Sequence, residues 1–138
     1  MRRTAQILAI GLLIALPLAV MAQDLTFGET DGEALIASTL KSLGAETDVD
    51  FKIVDGKYDI YCAWKSGTVT DEYEFLGMCI GASAELSKSL DKPCYKVIVT
   101  TQTGAKWEIE IQYAVQALLI EDNEQSGMFL LEHLQKIQ

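Results

Sequence analysis

Histidine occurs once in the 138 residues, proline twice and cysteine three times. A lone His133 cannot anchor a histidine–cysteine zinc cluster, whose ligands recur at short spacings. Any serine or cysteine nucleophile would need that same histidine as its base, and nothing in the sequence sets Cys79, Cys94 or a serine beside it. His133 falls off the apolar stripe of its helical segment, so a solvated position is expected. A glycine-rich phosphate loop is missing, because Gly77 and Gly81 lie within a helical pattern and not between a strand and a helix. Asp48, Asp50 and Asp55 stand close together, but the central glycine and closing glutamate of a calcium loop are absent. No cofactor and no metal is expected on these grounds. Positive charge is scarce as well, with 11 Lys and Arg against 20 Asp and Glu. Such a surface repels phosphate backbones and anionic lipid headgroups, which argues against nucleic acid and against electrostatic membrane docking.

A long apolar run occurs once, at the start. Met1-Arg2-Arg3 leads into the stretch from Ala5 to Val20, which Pro17 interrupts and Val20-Met21-Ala22 closes. A positive start, an apolar middle and slim residues before the cut describe a secretory signal, with cleavage expected after Ala22. The run falls short of the roughly 20 residues that span a bilayer. No cysteine stands at the cut to carry a lipid, and Ala5-Gln6 breaks the apolar positions that follow a twin-arginine pair. The chain therefore reads as a leader over residues 1–22 and one domain over residues 23–138. The expected location is periplasmic or extracellular, with no membrane contact beyond the leader. Without Arg2 and Arg3, 9 basic and 20 acidic residues remain over 116 residues, a net charge of −11. That length suits a single core. A basic partner or a cation would be favoured, and the charge helps keep an exported protein in solution.

From Asp31 the pattern is helical: Leu35, Ile36, Thr39, Leu40 and Leu43 form one stripe, Thr30 or Asp31 can cap its start, and Gly44 fits just past its end. The period then changes to two. Val49, Phe51 and Ile53 alternate with polar residues, as do Tyr58, Ile60, Cys62 and Trp64, and Asp55-Gly56 between the runs signals a two-residue hairpin turn. That turn pairs Val54 with Lys57, Ile53 with Tyr58, Phe51 with Ile60 and Val49 with Cys62, so apolar residues meet on one face. A second helix follows, with Thr70 as its cap, carboxylates Asp71, Glu72 and Glu74 in its first turn, and Leu76, Cys79, Ile80, Ser83, Leu86 and Leu90 at helical spacing. Asp91-Lys92-Pro93 ends it. A second hairpin joins Tyr95, Val97, Val99 and Thr101 to Trp107, Ile109, Ile111 and Tyr113. A three-residue loop around Gly104 would pair Thr101 with Trp107, Val99 with Ile109 and Val97 with Ile111. Residues 114–120 fit a strand extension or a short helix equally. Met128, Leu130, Leu131, Leu134 and Ile137 form a closing amphipathic helix.

The expected fold is α+β and two-layer: a four-stranded, mainly antiparallel sheet of two hairpins with helices packed on one face, in the order α-β-β-α-β-β-α. The order of elements resembles that of secretion-chaperone-like small α+β domains, but no residue motif is shared and no residue role is implied. Cys62 and Cys79 both face inward at similar heights, which makes Cys62–Cys79 the expected disulfide in an oxidising compartment, with two buried free thiols as the alternative. Cys94 would be left single, either free for an intermolecular bond or simply buried. Tyr61, on the outer face, is the aromatic singled out as a contact candidate. With no reactive constellation, the expected function is that of a non-enzymatic binding or accessory domain of the cell envelope, acting on a protein or small-molecule partner. The alternative is a small carboxylate-dependent enzyme. An exposed edge strand adds homodimerisation as a structural option.

Overall fold

The structure, a computed structural model, describes residues 26–138, so the expected leader over residues 1–22 lies outside the described residues. The described chain runs α1 (Glu29–Ser42), β1 (Ala45–Val54), β2 (Lys57–Gly67), α2 (Glu72–Ser87), β3 (Cys94–Thr100), β4 (Lys106–Glu110), α3 (Ile111–Leu119), α4 (Asn123–His133) and β5 (Gln135–Lys136). The class is α+β. The sheet differs from the expected one: it has five strands, in the order β1-β2-β3-β4-β5, and it is mixed. β2 and β3 run parallel, while the other neighbours are antiparallel. Parallel neighbours need a crossover connection, and α2 supplies it.

The first hairpin forms in the expected register, with Ile53 opposite Tyr58, Phe51 opposite Ile60 and Val49 opposite Cys62. Its turn places Asp55 at φ 52° and Gly56 at φ 77°, the left-handed pair that twists in step with the flanking strands. The second hairpin differs. Val97 faces Ile109 and Val99 faces Trp107, two residues away from the register that a three-residue loop imposes. The loop is longer because the Thr101 N–H donates to the Ala105 carbonyl and the Gly104 N–H to the Thr101 carbonyl. Ile111 and Tyr113, read as strand, belong instead to the first turn of α3. Ala114 and Ala117 are buried in that helix, which packs against α2.

α1 begins two residues before the expected Asp31, at Glu29, with Gly28 as its cap and no side-chain cap bond. The lead before it is tied down: the Phe27 N–H donates to Ser89 O, and the Asp91 N–H to Phe27 O. The buried stripe of α1 is Gly32, Ile36 and Leu40, while Leu43 is exposed at the C-cap. Gly32 is small for a reason, since a Cβ there would lie 2.7 Å from a Phe51 ring carbon and 2.9 Å from Leu90. Next to it, the Phe51 N–H on β1 donates to Glu33 Oε2 at 2.8 Å. At the start of α2 the cap is Asp71, not Thr70: its carboxylate accepts from the N–H groups of Tyr73 and Glu74 at 2.8 and 3.2 Å. α2 is buried on every side from Phe75 to Ala84, because the sheet and both flanking helices pack on it. Its run of Gly and Ala makes such close approach possible.

α4 ends at His133, before the expected Ile137, and the chain continues as β5 beside Trp107 and Glu108 of β4. α4 packs chiefly on α3 and not on the strands, and the Ser126 hydroxyl donates to the Ala117 carbonyl between them. The helices thus do not form one simple layer. The core is the inner sheet face against α1, α2 and α3, and its largest fully buried side chains include Tyr58, Phe75, Ile36, Leu40 and Ile60. Ile53 and Val54, at the tip of the first hairpin, remain exposed.

Candidate functional site

The outer face of the sheet is built by the side chains that alternate away from this core. Register fixes which of them stand abreast. Lys52 faces Asp59, Asp59 faces Lys96, and Lys96 faces Glu110, so charge alternates in sign across four strands. The neighbouring row runs Asp50, Tyr61, Ile98 and Glu108. Lys96 Nζ lies 3.3 Å from Glu108 Oε1, and Lys52 Nζ sits 4.5 Å from the centre of the Tyr61 ring. Cross-strand pairs of opposite charge are ordinary sheet chemistry. Asp59 is not ordinary.

Asp59 is only 5 % exposed, although it points away from the helices, and its Oδ1 accepts no hydrogen bond. The lysine beside it bonds to Glu108 instead. Burial therefore pushes the Asp59 carboxyl up from its ordinary value, Lys96 opposes that, and Glu108 adds to it. Burial alone would pull the Lys96 ammonium down, but the Glu108 bond and the nearby charges outweigh it and hold the ammonium up. Buried charge without a full set of partners is costly, and carboxyls perturbed in this way cluster at functional sites.

Two grooves meet at Lys96 and Tyr95. One, of about 460 Å³, is lined by Val54, Asp55, Lys57, Asp59, Tyr95 and Lys96. Its floor is charged, and its rim carries the exposed side chains of Val54 and Tyr95. The other, of about 230 Å³, lies towards β5, with Glu108, Glu110, Tyr113, Glu132 and His133 among its walls. His133 is half-buried there and not solvated as expected: its ring stacks on Tyr113 at 4.0 Å, and Nδ1 donates to the Phe129 carbonyl at 3.0 Å. No serine or cysteine lines that groove, so the imidazole has no nucleophile to activate within it. Tyr61, the aromatic singled out from the sequence, is half-buried under Lys52. The exposed aromatic of this face is Tyr95.

Among the described residues no three or more His, Cys, Asp or Glu side chains are grouped to hold a metal ion. In the Asp59, Glu108 and Glu110 cluster the cation is Lys96. Among the described residues, too, no helix is long and apolar enough to cross a membrane.

The structure brings Cys62 and Cys79 together, 4.2 Å apart and unbonded, as free thiols. Burial, followed by its contact with Cys62, pushes the Cys79 thiol well above its ordinary value. Cys94 is free and half-buried beside Tyr58. Burial and then the charge of Asp59 push its thiol up to about 12, which keeps it protonated and a poor nucleophile.

In the sequence, strand alternation marks Asp59 and Lys96 only as outward positions. Their juxtaposition depends on β2 lying parallel to β3, and alternation within a single hairpin carries no sign of that. The available signal was opposite charge at matching outward positions of two strands that a helix connects. Set against models of known protein families, curated proteins and solved structures, the chain matches none.

Proposed function

We propose that this chain is an exported, non-enzymatic binding domain of the cell envelope, and that its ligand seat is the groove floored by Asp59 and Lys96. The observation carrying this reading is the Asp59 carboxylate, nearly enclosed on the sheet face away from the helices with one oxygen lacking a donor. A ligand bearing an N–H donor would approach this carboxylate from the groove, a turn of the Asp59 side chain bringing its enclosed oxygen forward, while the apolar part of the ligand lay against Val54 and Tyr95. The acidic balance of the chain favours a basic partner of this kind.

The raised Asp59 pKa is also what a general acid would need, and it is the single observation favouring a carboxylate-dependent enzyme. Against that reading, Lys96 stands among the carboxylates and supplies their counter-charge.

The test is affinity capture from envelope extract with the full chain as bait, run in parallel with Asp59→Asn and Tyr95→Ala. A stoichiometric partner held by the wild type and lost from both variants is the expected result. A partner held equally by all three, or no partner together with turnover of a small molecule, would overturn the proposal.

A further inference from the structure

We infer that Cys62 and Cys79 form a cross-linking pair whose redox state is set once, while the chain folds, with Cys94 left as a thiol. The inference is independent of the binding reading. Cys62 lies on the inner face of β2, flanked across the sheet by Val49 and Val99. Cys79 projects from α2 onto it, 4.2 Å away. A disulfide requires the sulfurs to close to about 2 Å, a small side-chain adjustment for groups already adjacent. Cys94 is placed differently: it pairs with Tyr58, four positions before Cys62 on the same strand. At about 3.3 Å per strand residue that separation is about 13 Å, beyond bonding reach.

The oxidant is a disulfide-bearing exchange partner. One cysteine thiolate attacks it, giving a mixed disulfide and releasing one thiol of the partner. The second cysteine then attacks the mixed disulfide, forms Cys62–Cys79 and releases the partner's other thiol. Two electrons pass to the oxidant, and the two protons given up by the cysteines end on its thiols. Attack requires the sulfurs to line up with the oxidant. In the folded chain Cys62 is 1 % exposed and Cys79 0 %, so no exchange partner reaches them. Oxidation therefore precedes the docking of α2 on the sheet. Once made, the bond is equally closed to reductants, and the molecule keeps a record of the compartment in which it folded.

The full chain is refolded from denaturant in a glutathione and glutathione disulfide buffer, and separately folded under reduction before transfer to the same buffer. Thiols are counted after denaturation, and the bond is mapped after cleavage at Lys65, which lies between the two cysteines. The expected result is one free thiol per chain and a Cys62–Cys79 link after oxidative refolding, but three free thiols in the pre-folded sample. Cys94→Ala, altering a half-buried residue outside the pair, keeps the link. Three free thiols after oxidative refolding, or a link involving Cys94, would overturn the pairing. Equally fast oxidation of the pre-folded sample would overturn the timing.

Discussion

Replacing Asp59 by Asn should make the protein more stable at neutral pH. The carboxylate is nearly enclosed, one oxygen has no donor, and the nearest ammonium is engaged by Glu108. Leaving a buried polar group unpartnered costs about 1–3 kcal/mol, and part of that is offset here by attraction to Lys96. The amide keeps the shape and removes the charge, so a gain of about 1 kcal/mol is expected, or about 3–6 °C in Tm for a domain of this size. The pH dependence follows from the direction of the shift. The folded carboxyl has a raised pKa, chiefly through burial, so the folded state holds its proton more tightly than the unfolded chain. The penalty is complete above the folded pKa and fades as pH falls through it towards the ordinary 3.8. Urea unfolding of both proteins across that window should show the advantage of the Asn variant shrinking in acid. A variant that is less stable at neutral pH, or a difference that ignores pH, would refute the account of Asp59 as an unpaired charge.

Glu72 should behave in the opposite way. Its carboxylate accepts from the hydroxyls of Thr101 and Thr103 at 2.5 and 3.0 Å, and the Thr101 bond above all holds its pKa down. Its contribution is present above the ordinary 4.5 and lost as pH falls through the lower folded value. Glu72→Gln should cost about 1–2 kcal/mol at neutral pH, with the deficit closing in acid denaturation series. Gly32→Ala forces a methyl against the Phe51 ring and Leu90. The overpacking penalty of about 1–3 kcal/mol should exceed the helix-propensity gain of about 1 kcal/mol, so thermal melts should show a lower midpoint.

What the sequence disclosed, and what it withheld, follows from the periods of its elements. Asp55-Gly56 admits one tight turn, and that turn fixes the pairs of the first hairpin from Val54–Lys57 to Thr47–Trp64, beyond which a bulge between Glu46 and Thr47 shifts the register. In the second hairpin the five residues 101–105 close the loop, two more than alternation requires. A shift of two residues leaves each side chain on the same face, so Val97, Val99 and Ile109 were placed correctly in the core although their partners were not. Ile111 and Tyr113 continue the strand's alternation and also suit a helix, and the burial of Ala114 and Ala117 against α2 decides for the helix. The candidate site was the least legible part. Alternation marks Asp59 and Lys96 as outward, but the enclosure of Asp59 comes from neighbours on other strands. His133 departs from its expected solvated position for a related reason: its shelter comes from Tyr113 on a different helix.

The bond from the Phe51 amide to Glu33 bears on how copies of this chain meet. A foreign strand that extends the sheet past the middle of β1 must compete for that amide, and a charged acceptor already sits on it. Growth along that border is thus opposed from within the molecule, by one side chain of a neighbouring helix. Truncating that side chain would free the Phe51 amide for a stranger.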